Sequence, residues 1–401
     1  MKREAATLVA VLLIALLLIV SFLSMATIPE APKPQWSITY PRVPTYIISG
    51  SVATAKDEGY SVVQTTDGGY AIAATWDDHG HAPHSGGVNN YTGVIIKTDS
   101  SGQVQWKKPW ATSISRIKPH SIIQTSDSGF LLGNSYDLFK LDAEGTVQWS
   151  KNFEPLYCYS VIQTEDGGYF FVGNMGGNYI NNRATVLLKT DYKGDQMWNE
   201  TVWSESSFPF LTAVTEASDG GYVAAGTWGD DRVWLVKTSV NGTIQLTRTY
   251  DIGIEKRISI PPTHVAICKT KDSGYILAGG IRYGDHYSPW LAKIDSEGDL
   301  QWNQKYGDDC RFVSVVQVAN GGYLAVGDYL PQFDNEAALL VKADGFGKFE
   351  RNATYGEKGT YHDNIASFVI ATADGGFAVV GTIDDSVWLA KFAPEEPEPQ
   401  F

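Results

Sequence analysis

The stretch SVVQTTDGGYAIAAT, residues 61–75, is two short apolar runs parted by a turn sequence. Asp-Gly between β-rich runs is a strong hairpin signal, because both residues tolerate the positive φ of a type I′ turn. The signature returns as SDSGF ending at Phe130, EDGGY at Tyr169, SDGGY at Tyr222, KDSGY at Tyr275, ANGGY at Tyr323 and ADGGF at Phe377. Each copy opens a unit of roughly fifty residues, the period of an array fold. A second hairpin follows in each unit. VIIKTDSSGQVQW (94–106) reads strand, D-x-x-G turn, strand, and returns as LFKLDAEGTVQW (138–149), VLLKTDYKGDQMW (186–198) and WLAKIDSEGDLQW (290–302). WLVKTSVNGTIQL (234–246) and LLVKADGFGKFE (339–350) are looser copies.

Four strands per unit make the blade of a β-propeller, and seven signatures predict seven blades. The termini show how the ring closes. The last unit runs through FAVVGT (377–382) and VWLAKF (387–392), then passes into APEEPEPQF with no final QW strand. QWSITY (35–40) precedes the first signature and matches the end of a unit, as in QWNQKY (301–306). The N-terminal strand should therefore complete the last blade and leave no open sheet edge at the seam.

Over residues 35–392 the pattern resembles the DGGY-type propeller repeats of archaeal and bacterial surface proteins, and more distantly the WD40-like and PQQ-like groups. The resemblance implies architecture more than activity. PQQ enzymes place three residues between the Asp and Gly of their tryptophan-docking motif. Asp99-Ser100-Ser101-Gly102 has two, so that cofactor does not carry over. Thr164 to Phe171 also fits the Asp-box of sialidases, a device that stabilises a turn.

Lys2 and Arg3 precede an apolar run from Leu8 to Ala26. Such a run nearly crosses a hydrocarbon layer of about 30 Å and would leave the rest of the chain outside. The domain reading is thus a segment 1–28, a propeller 29–392 and a Pro/Glu-rich, disordered tail 393–401. Residues 5–28 would contact the membrane as a single-pass anchor, with the propeller extracellular. Alternatively Ser24-Met25-Ala26 serves as a cleavage site near Ala26 and the chain is secreted. Sequons at Asn90, Asn199, Asn241 and Asn352 suit an exported chain.

The net charge of −14 argues against nucleic acid, which needs a basic stripe. Lys and Arg stand singly, mostly beside the recurrent turns, as expected of a solvated strand face. Three cysteines, Cys158, Cys268 and Cys310, form no disulfide framework, and Cys268 reads as a buried free thiol in a strand.

The DGGY and D-x-x-G turns fill one end of the ring. Loop variation falls on the other end, where sites usually sit. All seven histidines lie there or on the strand starts beside it. The candidate binding set is Trp76, His81, His120, Trp228, Asp230, His264, Tyr283, His286 and His362. Aromatic rings beside carboxylates suit a protein or a glycan. Asp77, Asp78, His79, His81 and His84 in the first blade form a candidate zinc-like site, set against a plain polar loop. No catalytic motif stands out. The functional expectation is a cell-surface binding module, with a glycan-active or metal-assisted enzyme and a structural envelope component as alternatives.

Overall fold

The computed structural model describes residues 32–41, 47–48, 51–52, 56–77, 91–113, 118–175, 184–203, 209–229, 232–253, 264–283, 286–330, 336–356 and 364–394. The segment expected at 1–28 and the tail from 395 lie outside these residues. Among the described residues no helix is long and apolar enough to cross a membrane.

Seven four-stranded antiparallel sheets form the ring. Blade one comprises Glu58–Gln64, Tyr70–Asp77, Tyr91–Thr98 and Val104–Ser113, counted from the channel outward. The following inner strands are Pro119–Gln124, Leu156–Gln163, Pro209–Glu216, Val265–Lys269, Cys310–Gln317 and Ile365–Ala371. Each packs against the next, and the last returns to the first. Blade seven is completed by Pro34–Tyr40, which pairs with Ser386–Phe392 as expected. The Trp388 indole N–H donates to Ser37 Oγ across this closing pair at 2.7 Å.

The core is divided among seven apolar clusters, one between each pair of adjacent blades. The second strand of each blade is almost wholly buried because neighbouring blades cover both its faces. Val223 and Ala225 of blade four join Leu277 and Trp290 of blade five, while Ala224 of the same strand faces blade three. These strands therefore read as continuous apolar runs.

The QW tryptophans join the outer strands to the next blade. Trp36, Trp106, Trp149, Trp198 and Trp302 lie over Gly102, Gly145, Gly194, Gly242 and Gly347 of the following D-x-x-G turns. A Cβ at Gly102 would come within 2.7 Å of the Trp36 ring, so the contact demands glycine. Nearer the channel, Gln side chains clasp the DGGY turn of the preceding blade. Thr66 N–H donates to Gln124 Oε1, Ser126 N–H to Gln163 Oε1 and Lys271 N–H to Gln317 Oε1, each at 2.8 Å. Ala373 N–H makes the same bond to Gln64 across the seam.

Two expectations are corrected. The DGGY turns are not type I′. In the first, Gly68 N–H bonds Thr65 O and only Gly68 has positive φ, at 82°. This is a type I turn followed by a left-handed residue. The Asp67 carboxylate enforces it by accepting from Thr65 Oγ1 and Gly69 N–H. The paired positive φ of a type I′ turn occurs instead at Asp384 and Asp385, on the opposite end of blade seven.

The lysines near the ends of the third strands are not solvated. Lys97, Lys140, Lys189, Lys293, Lys342 and Lys391 are buried. Five of these six, together with the less buried Lys237, bind the Asp of their own blade's DGGY turn: Asp67, Asp127, Asp166, Asp219, Asp272 and Asp374. A buried ammonium needs a carboxylate close by, and the turn supplies it. Blade six has Asn320 in place of that Asp. There Lys342 pairs at 2.6 Å with Glu350 on the outer strand, where the first two blades carry Gln105 and Gln148.

Candidate functional site

The end opposite the DGGY turns differs from blade to blade. Second-to-third connections range from residues 135–136 in blade two to residues 78–90 in blade one. The starts of the inner strands surround the channel at this end and form its mouth. Bulges at Gly59/Ser61, Pro119/Ser121 and Cys158/Ser160 insert one extra residue into an inner strand. The inserted residues are Tyr60, His120 and Tyr159. Their alignment differs from that of the remainder of each strand.

His120 of blade two sits in a ring cluster. Its centroid lies 5.4 Å from Tyr157 and 5.2 Å from Tyr159, and its Nε2 is 3.5 Å from Tyr157 Oη. Tyr157 in turn meets Tyr136 edge-on at 5.5 Å, and Tyr159 meets Phe210 at 4.9 Å. His264 opens the inner strand of blade five, and its Nδ1 is buried with no hydrogen-bond partner among the described residues. Arg311 begins the inner strand of blade six. Its Nε–H donates to both oxygens of the fully buried Asp328 at 2.9 and 3.1 Å, and its guanidinium lies 5.7 Å from the Tyr287 ring centroid. Gly280 of blade five leaves the space that the Arg311 side chain fills, since a Cβ there would be 2.5 Å from Arg311 Cβ.

Burial lowers the His120 pKa to about 3, helped by the charges of His264 and Lys118. Burial lowers His264 to about 4, helped by Arg311. Both imidazoles are neutral at pH 7. The charges acting on them are all cationic, in a protein of net charge −14. At the first blade's edge Glu58 accepts from the Tyr60 hydroxyl and pairs with Lys56 at 3.0 Å.

The sequence candidates fall into four groups. His120 and His264 stand at the mouth. Trp76 and Trp228 lie between blades. Trp76 packs on the cluster joining blades seven and one, and Trp228 meets Trp234 edge-on at 4.9 Å. Tyr283 and His286 pair across a hairpin in their backbones, and Asp77 ends a strand. Asp78, His79, His81, His84, Asn90, Asp230 and His362 lie outside the described residues, and with them most of the candidate metal site. Among the described residues no group of three metal-binding side chains occurs.

Asn199, Asn241 and Asn352 are exposed on outer strands or turns. Cys158 and Cys310 are buried free thiols and Cys268 is a half-buried one. Tyr157, Tyr159, Arg311 and Asp328 complete the mouth. None of these four stood in the candidate binding set read from the sequence.

Similarity to solved structures covers nearly the whole chain. The WD40 domain of Pan2 from Neurospora crassa superposes with a TM-score of 0.53 at 11% identity, covering 92% of this chain and 97% of that one. An extracellular domain from a hybrid two-component system of B. thetaiotaomicron gives 0.54 at 9% identity, over 85% of this chain and 38% of that one. BBS1N, in its complex with ARL6DN, gives 0.50 at 10% identity, over 87% and 99%. No family model and no curated protein matches the sequence. These likenesses establish a seven-bladed propeller with WD40-like structural neighbours, and at such identity they speak for the fold alone.

Proposed function

We propose that this chain is an exported binding module, held at the cell membrane through residues 5–28, whose loop-bearing end engages a partner outside the cell. The observation that carries the reading is the contrast at the channel mouth. His120, His264 and Arg311 occupy the inner strand starts of three different blades there, bringing two imidazoles and a guanidinium to one end of a ring whose other end repeats a single turn motif. A rigid ring with uniform turns on one end and unlike side chains on the other suits recognition by several blades at once. The DGGY-type resemblance to surface proteins and the exposed Asn199, Asn241 and Asn352 support export. A candidate metal in the loop Asp77–His84 would be an accessory to this face.

The test is capture of envelope proteins and glycans by the immobilised full-length protein, with variants at each end of the ring. Glu144→Lys with Glu165→Lys on the turn end should leave capture intact. Tyr157→Ala should reduce it at least about tenfold if this aromatic is an anchor. The opposite pattern would assign the working face to the turns. In fractionation, the chain should stay in the pellet through alkaline wash and leave it only in detergent.

A further inference from the structure

We infer that the channel mouth binds a carboxylate-bearing sugar, the Arg311 guanidinium taking the carboxylate, His264 and His120 the adjoining hydroxyls, and Tyr157 and Tyr159 the sugar's apolar face. This rests on the loop end being the working face and adds the class of ligand.

Arg311 is prepared for a planar anion. Asp328 holds Nε, Tyr287 supports the plane and Gly280 gives the chain room. The Nη1 and Nη2 groups have no hydrogen-bond partner among the described residues, so one edge of the fork is open to a ligand carboxylate. Such a fork matches a carboxylate in both geometry and charge.

The electrostatics of the mouth point the same way. Lys118 and Arg311 are the cations acting on the two imidazoles, and no carboxylate contributes to either shift. Glu58 is engaged by Tyr60 and Lys56, and Asp328 by Arg311. Glu336 adds an acidic influence on Arg311. Asp328 and Glu336 face Arg311, and Glu58 faces Lys56 and Lys118, so the cations of the mouth are balanced by acids within a chain of net charge −14. A single guanidinium edge in such a setting takes one carboxylate, whereas the surrounding acidity repels a dense polyanion.

A neutral imidazole both donates and accepts, which suits sugar hydroxyls better than it suits a second anion. The buried His264 Nδ1 gains a partner when a hydroxyl fills the mouth. The half-buried rings of Tyr157 and Tyr159, tilted by 37° to each other, offer apolar surface beside these polar groups.

The experiment is calorimetric titration of the full-length protein with a galacturonate trisaccharide, the neutral galactose trisaccharide, and a short peptide with a free C-terminal carboxylate. The uronide should bind at least about tenfold more tightly than the neutral sugar, and the peptide more weakly than the uronide. Arg311→Lys keeps a cation beside Asp328 but loses the fork, and should weaken uronide binding about tenfold or more while the variant still melts cooperatively. His264→Ala should weaken it to a lesser degree.

No uronide binding at about 10 mM, or equal affinity for the neutral sugar, would overturn the carboxylate assignment. With the neutral sugar bound and Tyr157→Ala weakening it, the loop end would still stand as the working face. Peptide binding equal to that of the uronide would overturn the sugar class. Uronide binding lost only in the Glu144→Lys, Glu165→Lys variant would overturn both readings.

Discussion

The two ends of the ring are built by the same strands and obey different rules. At the turn end one set of contacts recurs around the circle: a carboxylate on a buried lysine, a tryptophan on a glycine, a glutamine on a turn amide. At the channel mouth the backbone bulge recurs but the side chains change from blade to blade. His120 lies among tyrosines, His264 has a bare nitrogen, and Arg311 is clamped to Asp328. Repetition favours the turn end as the source of stability, because one local solution to a burial problem serves blade after blade. The mouth is then free to vary, provided its charges are compensated within a single blade.

The contrast can be broken most forcefully at the seam. Deleting Pro34–Tyr40 removes the outer ladder of blade seven, the buried Tyr40, the Trp36 contact with Gly102 and the Ser37 bond to Trp388. Loss of one large buried aromatic alone costs about 3–5 kcal/mol, so the truncated ring should lose its cooperative melting transition. Deleting residues 395–401 should leave the transition in place. Equal melting curves would mean that closure contributes nothing.

The next test separates periodic from individual charge pairs. Lys189 Nζ donates to both oxygens of Asp166 at 2.9 Å, and its side chain is 2% exposed. Its remaining acceptors are the Thr190 carbonyl at 2.9 Å and the weak acceptor Met197 Sδ at 3.7 Å, neither of which carries a charge. Asp166→Ala should cost about 3 kcal/mol in urea denaturation, since it strands a buried ammonium. In blade six Glu350→Gln should cost a similar amount, and adding Asn320→Asp should restore most of it. A neutral Glu350→Gln would show that Lys342 does not depend on that carboxylate.

The seven signatures and the displaced QW strand made the ring legible, because turn chemistry is local and recurs at a fixed period. The burial of the lysines was less legible. A lysine before a D-x-x-G turn looks the same whether its head reaches water or a carboxylate two strands away. The Asn320 and Glu350 exchange was the available signal, because one blade loses an acid in the turn and gains one on the outer strand. The mouth was harder still. Extra residues such as His120 and Tyr159 enter through bulges, and a shift of one residue reverses which side chain meets the channel. Trp76 and Trp228 looked like loop-end anchors, but each falls within the last turn of a strand that a neighbouring blade covers.

Acid should titrate the two ends in separate windows. His120 and His264 are held near 3 and 4, below the ordinary 6.5, chiefly by burial. The unfolded chain takes up these protons first, so their stabilising contribution is complete above about pH 6.5 and declines as pH falls toward 4. At pH 5 the decline is roughly 2 kcal/mol for each imidazole. The turn carboxylates Asp67, Asp127, Asp272 and Asp374 are held near 2 by Lys and Thr hydrogen bonds that outweigh desolvation. Their contribution is present above about pH 4 and is lost as pH falls through 2. Phe in place of both histidines should flatten the stability profile between pH 6.5 and 4 and leave the lower window unchanged. A profile that keeps its upper slope in the double variant would assign that slope to other groups.

The smallest effect lies in the one position where the turn end itself is uneven. Five DGGY turns place glycine in the left-handed conformation, whereas blades two and five place Ser128 and Ser273 there, with φ of 66° and 67°. An L-residue in that region costs about 1–2 kcal/mol, and glycine returns part of the gain as extra unfolded-state entropy. Ser128→Gly and Ser273→Gly should therefore each stabilise the ring by about 0.5 kcal/mol, read as a small rise in urea midpoint at constant m. Gly167→Ser is the matching reverse test. A Cβ at Gly167 would meet nothing within 4 Å, so its cost reports backbone conformation without any clash. If Gly167→Ser proves neutral, the turn is held by the Asp166 bonds to Thr164 and Gly168 strongly enough to absorb the strain. The conformational preference of the third turn residue would then contribute little to the periodic end of the ring.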